Sequence, residues 1–163
     1  MPRHTETRNL PYTPEQLFDL VADVGRYPEF LPWVAATRIR ADSETLMIAD
    51  LVVGFSSLKE TFTSRVAKER PGRIHVDYVD GPLKYLHNSW KFRPGGKGGT
   101  DVDFCVDFAF KSRIFESLAG QLFDRALRRM IHAFEARAHQ LYGGPSSGAA
   151  KGGISSSSAQ SAA

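Results

Sequence analysis

A chain of 163 residues with 42% hydrophobic and 24% charged residues is long enough for one domain with its own core, and has the balance of a globular protein. A formal charge of +3 is too small to argue for nucleic acid by itself, and the single cysteine, Cys105, excludes an intrachain disulfide and any multi-cysteine metal site. No run approaches the ~18 apolar residues of a membrane-crossing helix, and the opening MPRHTETRNL lacks the apolar stretch of a secretory signal.

Residues 3–10 have the character of a first strand. Thr13-Pro14-Glu15-Gln16 then combines an N-cap threonine, a proline at the first helical position and a glutamine three residues after the cap. The helix is expected to run to Val24, with Leu17, Phe18, Leu20, Val21 and Val24 on its apolar side, and to end at Gly25. In Tyr27-Pro28-Glu29-Phe30-Leu31-Pro32-Trp33, Pro28 is expected to start one helical turn and Pro32 to end it. Strands are expected over Val34–Ala41, Thr45–Phe55, Leu58–Lys68, Arg73–Val79, Tyr85–Arg93 and Thr100–Phe110, each bounded by turn-forming residues.

The last of these strands alternates strictly: Val102, Phe104, Val106, Phe108 and Phe110 against Asp101, Asp103, Cys105, Asp107 and Ala109. If Pro94 lies opposite Thr100, Phe92 meets Val102, Trp90 meets Phe104 and Leu86 meets Phe108 on one face. Arg93 then meets Asp101, Lys91 meets Asp103 and His87 meets Asp107 on the other. A slip of one residue spoils both faces. The intervening Gly95-Gly96-Lys97-Gly98-Gly99 sits between two strands rather than before a helix, so it is expected to be a flexible hairpin and not a phosphate cradle.

Ser112 to Tyr142 predicts one long helix, capped by Ser112 and stopped by Gly143-Gly144. Phe115, Leu118, Ala119, Leu122, Phe123, Ala126, Met130, Phe134, Ala138 and Leu141 form its apolar stripe. Gln121, Arg125, Arg128, His132, Glu135 and His139 fall opposite, and Arg113, Arg125, Arg128, Arg129 and Arg137 are expected to make the outer surface basic. Gly120 lies mid-helix. From residue 143 to 163 the composition turns to Gly, Ser and Ala with one lysine, which predicts disorder, so the folded domain is placed at residues 2–142. The order predicts an α+β helix-grip fold: a curved antiparallel sheet of about seven strands around the long C-terminal helix, with two short helices after the first strand. A cavity between sheet and helix is the expected ligand site.

No catalytic constellation emerges. His4, His75, His87, His132 and His139 fall on different elements and are expected to be structural or solvated. Asp101, Asp103 and Asp107 share one strand face opposite basic residues, a solvated ladder rather than a calcium loop, and no metal ligands are assigned. Cys105, a lone thiol on that face, is expected to be inert.

The Tyr27-Pro28-Glu29-Phe30-Leu31-Pro32-Trp33 segment resembles the Tyr-x-x-Phe-x-Pro-Trp signature of the coenzyme Q-binding proteins in the START-like superfamily. Phe62-Thr63-Ser64-Arg65-Val66, with Gly81-Pro82-Leu83 leading to Leu86 and Trp90, resembles the middle of that family. Met130, Ala133-Phe134-Glu135-x-Arg137 and Leu141-Tyr142-Gly143 resemble its end. Val34 departs from the cysteine many members carry after the tryptophan.

The resemblance implies a non-catalytic binder of ubiquinone, an isoprenoid quinone, held as a ligand with no cofactor and delivered for respiration and ubiquinone biosynthesis. A bacterial branch implies an alternative, a ribosome-associated inhibitor of translation acting as a toxin. A polyketide cyclase-like enzyme is a second alternative on the same fold. The implied setting is cytoplasmic, peripheral on the inner face of the cell membrane, with the membrane, respiratory complexes or the ribosome as partners. Ligand contacts are expected from Tyr27, Phe30, Leu31 and Trp33 at the entrance. Leu83, Leu86 and Trp90 are expected to contribute from the loop and strand, and Phe115, Leu118, Leu122, Phe123 and Met130 from the helix. The Tyr27 hydroxyl and the Trp33 N–H are expected to face a quinone carbonyl.

Overall fold

The computed structural model describes residues 3–55 and 58–143; of residues 55, 58, 115 and 118–124 only the backbone is described. The expected tail therefore lies outside the described residues from position 144 on. In chain order the elements are β1 (Arg3–Leu10), α1 (Pro14–Ala22), a 3-10 helix (Val24–Glu29), β2 (Val34–Asp42), β3 (Leu46–Phe55) and β4 (Leu58–Glu69). Then follow β5 (Arg73–Asp80), β6 (Leu83–Pro94), β7 (Thr100–Phe110), α2 (Arg113–Ala138) and a closing π turn (His139–Gly143).

Local chemistry explains the starts and stops. Thr13 Oγ1 accepts from Gln16 N at 3.1 Å, and Gln16 Oε1 accepts from Thr13 N at 3.0 Å, a reciprocal cap that opens α1. The helix stops at Ala22, earlier than expected, and Pro28 lies inside the 3-10 helix rather than at its head. A 3-10 helix pairs each N–H with the carbonyl three residues back. Pro28 has no N–H for the Gly25 carbonyl, and the Thr37 hydroxyl donates to that carbonyl instead, at 3.3 Å. The sheet thus fills the bond the proline leaves open.

The seven strands form one antiparallel sheet in the order β1-β7-β6-β5-β4-β3-β2. Every neighbouring pair from β2 to β7 is a sequential hairpin, whereas β1 reaches across to the far edge and pairs β7, Arg3 opposite Asp107 through Leu10 opposite Thr100. Register shifts between Val34 and Ala36, Ile39 and Ala41, Thr63 and Ser64, and Leu83 and Tyr85 interrupt the ladders. Such shifts bend a strand and increase its twist, which lets the sheet curl.

The β6–β7 register is the expected one, with Pro94 opposite Thr100, Trp90 opposite Phe104 and Leu86 opposite Phe108. The outer-face ion pairs differ. Arg93 reaches diagonally to Asp103, with Nε–Oδ2 at 2.7 Å and Nη2–Oδ1 at 3.0 Å, rather than to Asp101 opposite it. Asp101 instead accepts from Asn9 Nδ2 at 2.9 Å. His87 turns away from Asp107 to Asp77 on β5. A long forked side chain reaches a diagonal neighbour as readily as a direct one. The glycine hairpin is a tied turn: Gly95 N donates to Gly99 O at 3.0 Å, and Asn9 Nδ2 to Gly98 O at 3.1 Å. Gly99 has φ +64°, and a Cβ there would fall 2.3 Å from the Leu10 carbonyl oxygen, so β1 can end against this turn only if the residue is glycine.

The core lies on the concave side of the sheet. Leu17, Phe18 and Val21 of α1 meet Met47, Val66, Ile74, Phe92 and Val102 of the sheet and Phe134 and Ala138 of α2. Phe110 N donates to Glu116 Oε2 at 2.8 Å and Ile114 N to Ser112 Oγ at 3.2 Å, bonds that start α2 directly after the last strand. The helix continues unbroken through Gly120. Its buried seam differs from the expected stripe at two points. Leu127 is buried along with Phe134 and Ala138, and Leu141 is 51% exposed. The π turn accounts for Leu141: one extra residue in the turn rotates it outward, and Tyr142 packs on the core in its place, its ring 6.2 Å from Tyr12.

Candidate functional site: the mouth between the proline-bounded loop and α2

The loop carrying Tyr27, Phe30 and Pro32 leaves α1 and crosses the inner side of α2. Tyr27 and Phe30 both meet Phe134 edge-on, at ring separations of 5.6 and 5.3 Å. Phe134 in turn meets Trp90 at 5.2 Å, and Trp90 meets Phe104 at 4.7 Å. Loop, helix and sheet therefore join through one aromatic cluster, in the edge-to-face geometry such rings favour.

Arg137 holds the loop from the helix side. Its Nη2 donates to Glu29 Oε1 at 2.7 Å, and its guanidinium carbon lies 5.1 Å from the centre of the Phe30 ring. With only 13% of its side chain exposed, Arg137 is not part of the outer basic surface expected for it. The helix wheel sets it within the apolar stripe, between Ala126 and Met130, and the loop packs over it. The Arg137 hydrogen bond, opposed by desolvation and helped by Arg26, holds the Glu29 carboxyl below its ordinary value.

Outside this clamp lies an open groove of ≈ 640 Å³, lined by Phe30, Pro32, Arg125, Arg128, Arg129, His132 and Ala133. Ligand pockets commonly run about 300–1,000 Å³. Phe30, Pro32 and Ala133 give it an apolar side; the three arginines give it a cationic rim, with the His132 imidazole beside them. That division suits a molecule with an apolar body and an oxygen-rich head.

The expected site residues divide into groups. Tyr27, Phe30 and Trp90 come together in the aromatic cluster, and Trp33 and Met130 are half-buried against the same core. Leu31 and Leu83 are buried outright, Leu31 in the main core and Leu83 at the start of β6 opposite Phe110, and neither lines the groove. Leu86 is half-buried on β6. The side chains of Phe115, Leu118, Leu122 and Phe123 lie outside the described residues. The Tyr27 hydroxyl does not await a ligand carbonyl: it donates to the Val21 carbonyl at the end of α1. Burial pushes its ionisation far above the ordinary value, so it remains a neutral donor fixed to the backbone.

Phe134, the hub of the cluster, was legible as one apolar position of the stripe and as part of the Ala133-Phe134-Glu135 motif, but not as a hub. His75 and His87, separate in the sequence, meet around Asp77 on the convex face. The strand register brings them together, with Asp77 directly opposite His87. Among the described residues the buried polar side chains are Ser64 and Thr100, and the Thr100 hydroxyl donates to Tyr12 O at 2.6 Å.

Residues 10–135 match the family described as polyketide cyclase / dehydrase and lipid transport. The chain is 40% identical over 134 residues to the ribosome association toxin RatA of Pseudomonas aeruginosa, covering 82% of this chain and 93% of that one. It is 34% identical over 144 residues to the mitochondrial coenzyme Q-binding protein COQ10 homolog B of Xenopus laevis, covering 86% of this chain and 59% of that one. Among solved structures, the 18 kDa protein CC1736 of Caulobacter crescentus is 44% identical with a TM-score of 0.70, over 88% of this chain and 99% of that one.

Proposed function

The chain belongs to the polyketide cyclase/dehydrase and lipid transport family, and from that premise we propose that it binds ubiquinone, an isoprenoid quinone, and delivers it without chemical change. The tail enters past Phe30 and lies between α2 and the concave face of the sheet. The observation that carries this reading is the mouth itself, apolar on the loop side and cationic on the helix side, opening beside the aromatic cluster. Removing a tail from water contributes about 25 cal/mol per Å² of apolar area, so a long tail supplies most of the affinity. In this reading Arg125, Arg129 and His132, which line the groove, donate to the quinone oxygens, which accept but cannot donate. The name of the Xenopus relative supports the ligand class. Among the described residues no helix is long and apolar enough to cross a membrane. The test is mass spectrometry of organic extracts from tag-free chain purified without detergent. A prenyl-quinone is expected with the wild type and none with Phe30→Asp; extracts and reconstitution mixtures free of bound quinone would remove the proposal.

The same arginines support a second reading, docking on the ribosome, in line with the name of the Pseudomonas relative. It predicts co-sedimentation with ribosomal subunits that falls as salt rises, because phosphate contacts release counterions. Arg125→Glu with Arg129→Glu abolishes that co-sedimentation if the groove is the contact, and wild-type chain that stays in the supernatant at low salt excludes this second reading.

A further inference from the structure

The convex face carries a cluster unrelated to the mouth. His75 and Asp77 point to the same side of β5, two residues apart, and His87 of β6 lies directly opposite Asp77. Both imidazoles aim one nitrogen at the same carboxylate oxygen: His75 Nε2 and His87 Nδ1 each lie 3.1 Å from Asp77 Oδ1. The three potential ligand atoms fall within 4.8 Å of one another. The rings are held in place by stacking, His87 lying 6.4 Å from His75 and 5.8 Å from Tyr85. His75 Nδ1 is buried without a hydrogen-bond partner among the described residues, so Nε2 is the nitrogen His75 presents to the cluster.

We propose that His75, Asp77 and His87 form a binding site for a zinc ion on the outer face of the sheet. Zinc bonds imidazole nitrogen and carboxylate oxygen at about 2.0–2.2 Å, which sets tetrahedral ligand atoms about 3.4 Å apart. The observed 3.1 Å separations are close to that, so a small outward movement of exposed side chains admits the ion. Two imidazoles and one carboxylate favour zinc over magnesium or calcium, which take oxygen ligands throughout. Side-chain exposures of 33% for His75, 49% for Asp77 and 61% for His87 leave the remaining coordination position to water. The ion therefore exchanges readily, and it ties β5 to β6 without touching the concave interior.

The experiment is calorimetric titration of the tag-free full chain with zinc chloride, with cobalt(II) absorption as a report on geometry. One ion per chain with micromolar affinity and a tetrahedral cobalt spectrum is expected. Losing a group that merely supports a metal ligand typically weakens binding about 10–100-fold; losing a ligand is expected to reach the upper end of that range. His75→Gln and His87→Gln should each do so, and His139→Gln on the π turn should not. Asp77→Asn serves as a third ligand variant should either histidine change perturb the fold by circular dichroism. Absence of saturable binding by the wild type overturns the site, as does affinity unchanged in the ligand variants.

Discussion

The two faces of β5, β6 and β7 hold themselves together by opposite means. On the concave face Trp90, Phe92, Phe104 and Ile74 pack against Phe134 and Phe18, where area removed from water and ring geometry do the stabilising. On the convex face Arg93 pairs with Asp103, Thr7 donates to Asp103, and Asp77 collects two histidines, all partly open to solvent. Exposed ion pairs contribute little to stability because water and salt screen them. The concave face therefore determines whether the protein folds, and the convex face is free to vary its chemistry.

Truncation on the two faces measures that contrast. Phe134→Ala removes the ring that joins loop, helix and sheet, and is expected to cost about 3–5 kcal/mol in urea unfolding. Phe30→Asp comes next. It places a charge at the mouth, and is expected to abolish quinone binding while leaving a cooperative unfolding transition. Arg137→Gln is expected to act more locally, letting the Glu29 carboxyl return toward its ordinary value of 4.5, followed by carbon-detected NMR titration. The sign follows from the lowered value in the folded protein. The clamp contributes fully above the ordinary glutamate range and is lost as pH falls through the depressed folded value, so it is intact at neutral pH. The smallest effect is expected for Arg93→Ala, whose exposed pair with Asp103 should leave the melting temperature almost unchanged. A large loss there, or a small one at Phe134, would break the contrast.

What the sequence disclosed was local. The Thr13–Gln16 cap depends on residues three apart, and the β6–β7 register on two adjacent strands whose faces must agree. Non-local outcomes were hidden. Nothing in Arg3–Leu10 announces that it pairs with β7, about a hundred residues later in the chain. Arg137, grouped with the outer basic residues by its charge, falls within the apolar stripe on a straight helix wheel and is covered by the loop, whereas Leu141 falls inside on the wheel and the π turn rotates it out. The loop 27–33 was legible as unusually apolar for a connector, yet the use of the Tyr27 hydroxyl was not, because its partner is a backbone carbonyl rather than a side chain. Likewise His75 and His87 look unrelated until the strands are in register.

Photo-crosslinking with a diazirine-tailed ubiquinone analogue, mapped by peptide mass spectrometry, tests most directly whether a quinone tail passes between the loop and α2. Adducts confined to the Phe30–Trp33 segment and the facing turns of α2, and displaced by unlabelled ubiquinone, are the expected result. Adducts spread over the convex face, or unaffected by the competitor, would contradict it.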